Sequence, residues 1–195
     1  MGKGTIDVNG YSDSDLVKRC AGGDVRSQES LYRRYFSFAM SICIRYTRDE
    51  TEAMEIVNDS YMKVLDRLPE YDNSRPFKSW YGKILVNTAI DNYRKNLKYN
   101  AHVSIDTITE AGDNEPEIET ELSASDILTL YRHLPENYRI TFNLFEIEGY
   151  SHEEIGGMLG VTASTSRSNL TRAKKMLREL YSRHINPVNK GHEAV

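Results

Sequence analysis

Between residues 162 and 183 six cations, Arg167, Arg172, Lys174, Lys175, Arg178 and Arg183, stand against one acid, Glu179. That surplus of five (six minus one) lies in a chain whose formal net charge is -4. Cations gathered in one segment of an otherwise acidic protein suit the phosphates of a nucleic acid. Short polar side chains are interleaved with the first of them. Ser164, Thr165, Ser168 and Asn169, with Arg167, Arg172 and Lys175, are the groups expected at base edges or phosphates. The chemistry implied is binding. His102, His133, His152, His184 and His192 are scattered, with no Cys/His metal spacing, glycine-rich phosphate loop or nucleophile motif, so no catalytic residue, metal or cofactor is expected.

Two helices joined by a tight turn would position these cations. Ser151 and Glu154 have the spacing of a capping box, which starts a short helix whose apolar residues Ile155, Met158 and Leu159 share a face. Gly160 can take the left-handed conformation that ends it, Val161 is expected to turn inward, and Thr162 to cap the next helix. In that second helix Leu170, Ala173, Leu177 and Leu180 form the buried stripe, spaced three, four and three apart. Basic amphipathic helices are often only solvated faces. The capping box, the Gly-Val turn and the basic second helix together point to a helix-turn-helix with its second helix in the DNA major groove.

Upstream, a helix is expected from Ser12 or Asp13 to Ala21, ended by Gly22 and Gly23, and a longer one from about Ser27 to Tyr46 carries the stripe Leu31, Tyr35, Phe38, Ile42 and Tyr46. Residues 47–68 read as a third helix. Asp49, Glu50 and Glu52 crowd its first turn, where the helix dipole favours acids. Glu52, Glu55 and Asp59 line one face, which is either solvated or a docking surface for a basic partner. The proline-bracketed loop 69–76 leads to a fourth helix over 77–99, where Trp80, Tyr81, Tyr93 and Tyr99 alternate with Lys78, Lys83, Arg94, Lys95 and Lys98. Cations that track phosphates beside rings that stack on bases are what single-stranded nucleic acid requires.

Residues 101–126 hold eight acids and neither lysine nor arginine, and read as a flexible linker. Helicity resumes with Ile127, Leu130, Tyr131 and Leu134, then beyond Pro135 with Tyr138, Phe142 and Phe145 as the expected buried face and Gly149 as terminator. The fold class is therefore all-α. Two small helical domains, 12–99 and 123–182, flank an acidic linker, 100–122, and a polar tail, 183–195, follows. No apolar run is long enough to span a membrane, and the N-terminus lacks the apolar core of a signal peptide, which points to the cytoplasm. Cys20 and Cys43 fit no metal spacing and read as free buried thiols.

The ordered segments resemble an extracytoplasmic-function (ECF) sigma factor of bacterial RNA polymerase, of the sigma-70 family. The resemblance rests on Gly23, Asp24, Leu31, Tyr32, Tyr35, Ala53, Ile56 through Tyr61, Val64, Phe77, Trp80, Ile84, Asn87, Ala89 through Asp91, Arg94 and Lys95 in the first half. In the second it rests on Leu134, Pro135, Arg139, Phe142, Leu144, Glu148, Gly149, Glu154, Ile155, Leu159 through Val161 and the run 167–177. It implies a sigma factor that binds core RNA polymerase and directs promoter-specific initiation. Asp49, Glu52, Glu55, Ile56, Asn58 and Asp59 would bind the polymerase. Asn73, Arg75, Lys78, Trp80, Lys83, Asn87, Arg94 and Lys95 would recognise and melt the minus-ten element as single strand, and the helix-turn-helix would read the minus-thirty-five element as duplex. An anti-sigma factor is an implied regulator, with no direct membrane insertion by this chain.

Three positions depart from the family pattern: Ser166 replaces an apolar residue, Asn169 a frequent arginine and Met54 an acid. The competing reading is a stand-alone helix-turn-helix regulator with a sensing or dimerising N-terminal domain. Such a protein has no use for an acidic docking helix or an aromatic-basic helix.

Overall fold

The structure is a computed structural model, and it describes residues 10–102 and 129–185. Contacts divide the chain into two units, residues 1–99 and 100–195. Among the described residues every regular element is helical. Residues 103–128 and 186–195, which include Ile127 and most of the acidic stretch, lie outside them.

In the first unit α1 (Asp13–Ala21), α2 (Val25–Cys43) and α3 (Glu50–Arg67) each begin on a side chain that accepts a backbone N–H. Ser12 and Asp15 form a capping box, Asp24 accepts from the Arg26 amide and Asp49 from that of Glu52. These caps satisfy donors that a helix start leaves without an internal partner. A 3-10 turn (Leu68–Glu70) and a loop then lead into α4 (Phe77–His102). Leu16, Leu31, Ala39, Val57, Val64 and Leu85 are closed to solvent. A fully buried side chain of the larger apolar kinds contributes roughly 1.5–3 kcal/mol.

Polar links hold α1 on α2. The Asp13 carboxylate takes hydrogen bonds from Arg34 Nη1 and the Tyr35 hydroxyl, each at 2.6 Å. Burial is the first cause raising the Tyr35 phenol above its ordinary pKa, with the hydrogen bond to Asp13 second, so Tyr35 stays a donor. Burial likewise pushes the Cys20 thiol up to about 11 and that of Cys43 up to about 12.

In the second unit residues 129–132 are helical, and Leu134 is buried just before Pro135. There follow α5 (Glu136–Phe142), a π-helical turn (Asn143–Ile147), α6 (His152–Leu159) and α7 (Ala163–Ile185). Ile140 and Leu144 are fully buried, with Arg139, Thr141 and Asn143 beside them. The expected aromatic face is corrected accordingly: Tyr138, Phe142 and Phe145 are only half-buried. α5 packs on α7 and the wide turn on α6, so the slim residues occupy the centre and the rings lie at the seams. Phe142 meets Tyr131 edge-on, and Phe145 stacks on His152 at 4.4 Å.

Between α6 and α7, Gly160 has φ +69° and closes α6 in the left-handed conformation. Gly156 permits a close approach, because a Cβ there would come within 2.8 Å of the Val161 carbonyl oxygen. Val161 itself is 37% exposed and does not turn inward. The turn brings its carbonyl, not its side chain, against α6.

Gly160→Ala is expected to lower stability by about 1 kcal/mol in denaturant unfolding, since an L side chain is disfavoured at positive φ. Native protein at pH 8 should react with a thiol reagent far more slowly at Cys20 and Cys43 than unfolded protein does. Burial and raised pKa values both withhold the thiolate.

Candidate nucleic-acid interface

The acidic face of α3 divides according to the partners of its side chains. Asp49 is occupied as the cap of α3. Glu52 takes hydrogen bonds from the Arg48 amide at 3.1 Å, from Asn92 Nδ2 at 3.0 Å and from Asn96 Nδ2 at 3.3 Å, which pins the start of α3 to α4. Ile56 is 3% exposed and belongs to the core, so its expected place on a contact surface is corrected. Its spacing to Ala53, Val57, Ser60 and Val64 directs it inward. Glu55, Asn58 and Asp59 are exposed. Asn58 Oδ1 accepts from the Tyr32 hydroxyl at 2.8 Å, which leaves Glu55 and Asp59, one helical turn apart, as the outward acids. Met54 and Met62 are exposed on the same helix.

The loop ahead of α4 is shaped by its own residues. Asp72 accepts from the Ser74 amide at 2.9 Å and pairs with Arg75 at 3.5 Å, and the Tyr71 hydroxyl donates to the Arg75 carbonyl. Hydrogen bonds from Ser74 hold the Asp72 carboxyl below its ordinary pKa, so it stays charged. Asn73 and Arg75 are exposed on this loop. Behind it Tyr71, Phe77 and Trp80 pack together, with Trp80 4.9 Å from the Tyr71 ring and 5.7 Å from that of Phe77.

Trp80 is half-buried, while Asn73 and Arg75 on the loop and Lys78 in the first turn of α4 are exposed. Lys78 Nζ lies 4.7 Å over the Phe38 ring. Lys83, Asn87, Arg94 and Lys95 are exposed farther along α4. Tyr81 and Tyr93, expected as stacking platforms, are 1% and 7% exposed. They are core residues and offer no ring face to a base. The side chain of Tyr99 lies outside the described residues.

On α7 the buried stripe starts earlier than its leucines suggest. Ser166, Asn169, Leu170 and Ala173 are buried, and Leu177 and Leu180 only half-buried. Asn169 at 7% exposure faces the unit's interior, so its expected role at DNA is corrected: three residues after Ser166 it falls on the same side of the helix. Ser166 Oγ lies 2.9 Å from His152 Nδ1, which makes a polar link between α6 and α7 at the position where the family pattern has an apolar side chain.

Ser164, Thr165, Arg167, Ser168, Arg172 and Lys175 are exposed together on the opposite side. Thr162 Oγ1 caps α7 by accepting from the Thr165 amide at 3.1 Å. Arg167 pairs with Glu153 at 2.8 Å, Lys174 with Glu146 at 2.6 Å and Lys175 loosely with Glu179 at 3.9 Å, while Arg172 donates to the Tyr138 hydroxyl at 3.2 Å. The spacing of the sequence does not reveal Glu153 and Glu146, nor Tyr138 as a partner of Arg172, because partners 14, 28 and 34 residues away leave no periodic signal.

Residues 31–98 match the family model described as Sigma-70 region 2, and residues 124–177 match that described as Sigma-70, region 4. The chain is 30% identical over 151 residues to RNA polymerase sigma factor SigV of Bacillus subtilis, covering 77% of this chain and 84% of that one. It is 25% identical over 160 residues to the ECF RNA polymerase sigma factor SigM of the same organism, covering 81% and 97%. A solved structure, the sigma factor RpoE in complex with the anti-sigma factor NepR from Bartonella quintana, aligns with TM-score 0.47 and 21% identity over 75% of this chain and 91% of that one.

Glu52→Ala is expected to destabilise the first unit by roughly 1–2 kcal/mol, because three donors lose their acceptor. Glu55→Ala and Asp59→Ala should stay within about 0.5 kcal/mol of the parent in the same unfolding measurement. Equal losses at all three positions would contradict the division of the acidic face.

Proposed function

The chain belongs to the sigma-70 family as an ECF-type sigma factor, and on that premise we propose how its surfaces divide the work. A sigma factor is not an enzyme. It binds core RNA polymerase and directs promoter-specific transcription initiation, and the polymerase carries out phosphoryl transfer. The observation that carries the division is the pairing, in one chain, of a unit with an outward acidic helix and a basic, part-exposed tryptophan edge with a second unit that presents a one-sided basic helix.

Glu55 and Asp59 on α3, with Asn58 between them, meet a basic surface of core polymerase, and Asp49 and Glu52 hold the start of that helix in place. Asn73, Arg75, Lys78 and Trp80 gather the displaced strand at the minus-ten element. There the exposed part of the Trp80 ring offers a base a stacking face, worth about 1–3 kcal/mol. Lys83, Asn87, Arg94 and Lys95 continue that track along α4. Ser164, Thr165, Arg167, Ser168, Arg172 and Lys175 approach the minus-thirty-five duplex, Arg172 and Lys175 supplying phosphate contacts and Arg167 lying with the short polar groups near bases.

The domain limits 12–99 and 123–182, with 100–122 as the connector and 183–195 as a tail, accompany this reading. An anti-sigma factor is the regulator that the family implies. No helix among the described residues is long and apolar enough to cross a membrane, and the cytoplasm, where polymerase works, is the proposed location.

Reconstitution with bacterial core polymerase tests the reading. The chain should form a complex with core and open promoter DNA in a sequence-dependent way; duplex binding by the chain alone, without capture by core, would favour a stand-alone regulator. Glu55→Lys with Asp59→Lys should impair capture by core while the thermal unfolding midpoint stays close to the parent's. Arg167→Ala with Arg172→Ala should weaken duplex binding and flatten its dependence on log salt by roughly 1–2 in slope, as fewer counterions are released. An unaltered slope would remove these arginines from the interface.

A further inference from the structure

Arg167 and Glu153 are both exposed, with side-chain accessibilities of 57% and 67%, yet they meet at 2.8 Å through one guanidinium nitrogen and one carboxylate oxygen. Glu153 lies in the first turn of α6, whose start is locked by the reciprocal hydrogen bonds of Ser151 and Glu154. The positive end of that helix favours a carboxylate there. Arg167 lies on the outward side of α7, near its start, beside Ser164 and Ser168. The pair therefore joins the short helix to the recognition helix at the surface proposed to meet DNA.

A guanidinium carries five N–H donors in a rigid plane. One carboxylate contact restrains that plane and leaves donors over for another planar acceptor. In the major groove that acceptor is the O6 and N7 edge of guanine, which an arginine reads through two parallel hydrogen bonds. The same carboxylate opposes the alternative use of Arg167, swinging onto an arbitrary phosphate, because the pair must then be broken and a negative charge remains near the DNA. Arg172 differs in a telling way: its partner is the neutral Tyr138 hydroxyl, so its charge is undiminished and suits a phosphate anchor.

We propose that Glu153 is a specificity-determining residue, holding Arg167 for a guanine edge in duplex DNA and weakening its contact with phosphates of any sequence. The proposal rests on the sigma-factor reading for the site that Arg167 meets. It concerns positioning: Glu153 touches no base.

Glu153→Gln keeps the size and polarity of the side chain and removes its charge. Exposed ion pairs add little to stability, so the variant should fold as the parent does, checked by its thermal midpoint. Binding of the full chain to a duplex of arbitrary sequence should become roughly two- to five-fold tighter at low salt. The complex of the chain with core polymerase is then given a duplex library randomised over the minus-thirty-five region. The parent should enrich a site with guanine at one position, and Arg167→Ala should lose the preference at that position. Glu153→Gln should weaken the preference at that same position by roughly three- to ten-fold, leaving the others unchanged.

Unchanged binding to arbitrary duplex would overturn the proposal. So would a uniform gain in affinity with the guanine preference intact, which would make Glu153 a charge balance only. If the parent complex selects no duplex site, the sigma-factor reading of this helix fails, a result distinct from a variant that selects as the parent does.

Discussion

Ser166, Asn169, Leu170 and Ala173 take one side of the recognition helix out of water, and the rest of the C-terminal unit follows from that burial. Once these residues face α5 and α6, the helical period turns Arg167, Ser168, Arg172 and Lys175 outward together. Shifting the helix by one residue would bury an arginine or expose the stripe. The left-handed Gly160 and the close approach at Gly156 protect this register by keeping the connection short. Two of the four buried residues are polar, and Ser166 meets His152, so the packing is specified by a hydrogen bond as well as by apolar area.

The first unit obeys a similar constraint with different materials. Glu52, on the helix with the outward acids, is fastened to α4 by two asparagines, and α1 is held on α2 through Asp13, Arg34 and Tyr35. Charged groups thus serve two purposes on neighbouring positions. Those with partners inside the unit orient helices, and those without such partners present a surface. The loop before α4 is shaped in the same manner by Asp72, Ser74 and Tyr71, which set Trp80 at the edge of an aromatic cluster.

Electrostatics on the recognition helix are more restrained than its composition suggests. Arg167, Lys174 and Lys175 are met by Glu153, Glu146 and Glu179, which balances part of the positive charge from within the unit, whereas Arg172 meets only the Tyr138 hydroxyl and keeps its charge. Exposed pairs of this kind contribute about 0–1 kcal/mol to stability. They matter more for which contacts a partner must displace.

The helices and their caps were legible in the amino-acid sequence, because both depend on neighbours within a turn. Ser12, Ser151 and Thr162 start helices where the spacing places them, whereas Asp24 and Asp49 cap helices that begin two residues before and three residues after the expected starts, and a 3.6-residue period marks most buried faces. The family was legible too, through residues spread over both halves. What local spacing could not decide was which member of a mixed face goes inside: Tyr81, Tyr93 and Asn169 prove to be interior, and Val161 exterior. The same limit hid the partners of the cations. A helix in isolation presents every side chain to water, and only another helix laid against it selects the face that is removed. Sequence therefore determined the elements and the kind of surface they could offer, whereas tertiary packing decided which residues form that surface and which charges on it are already paired.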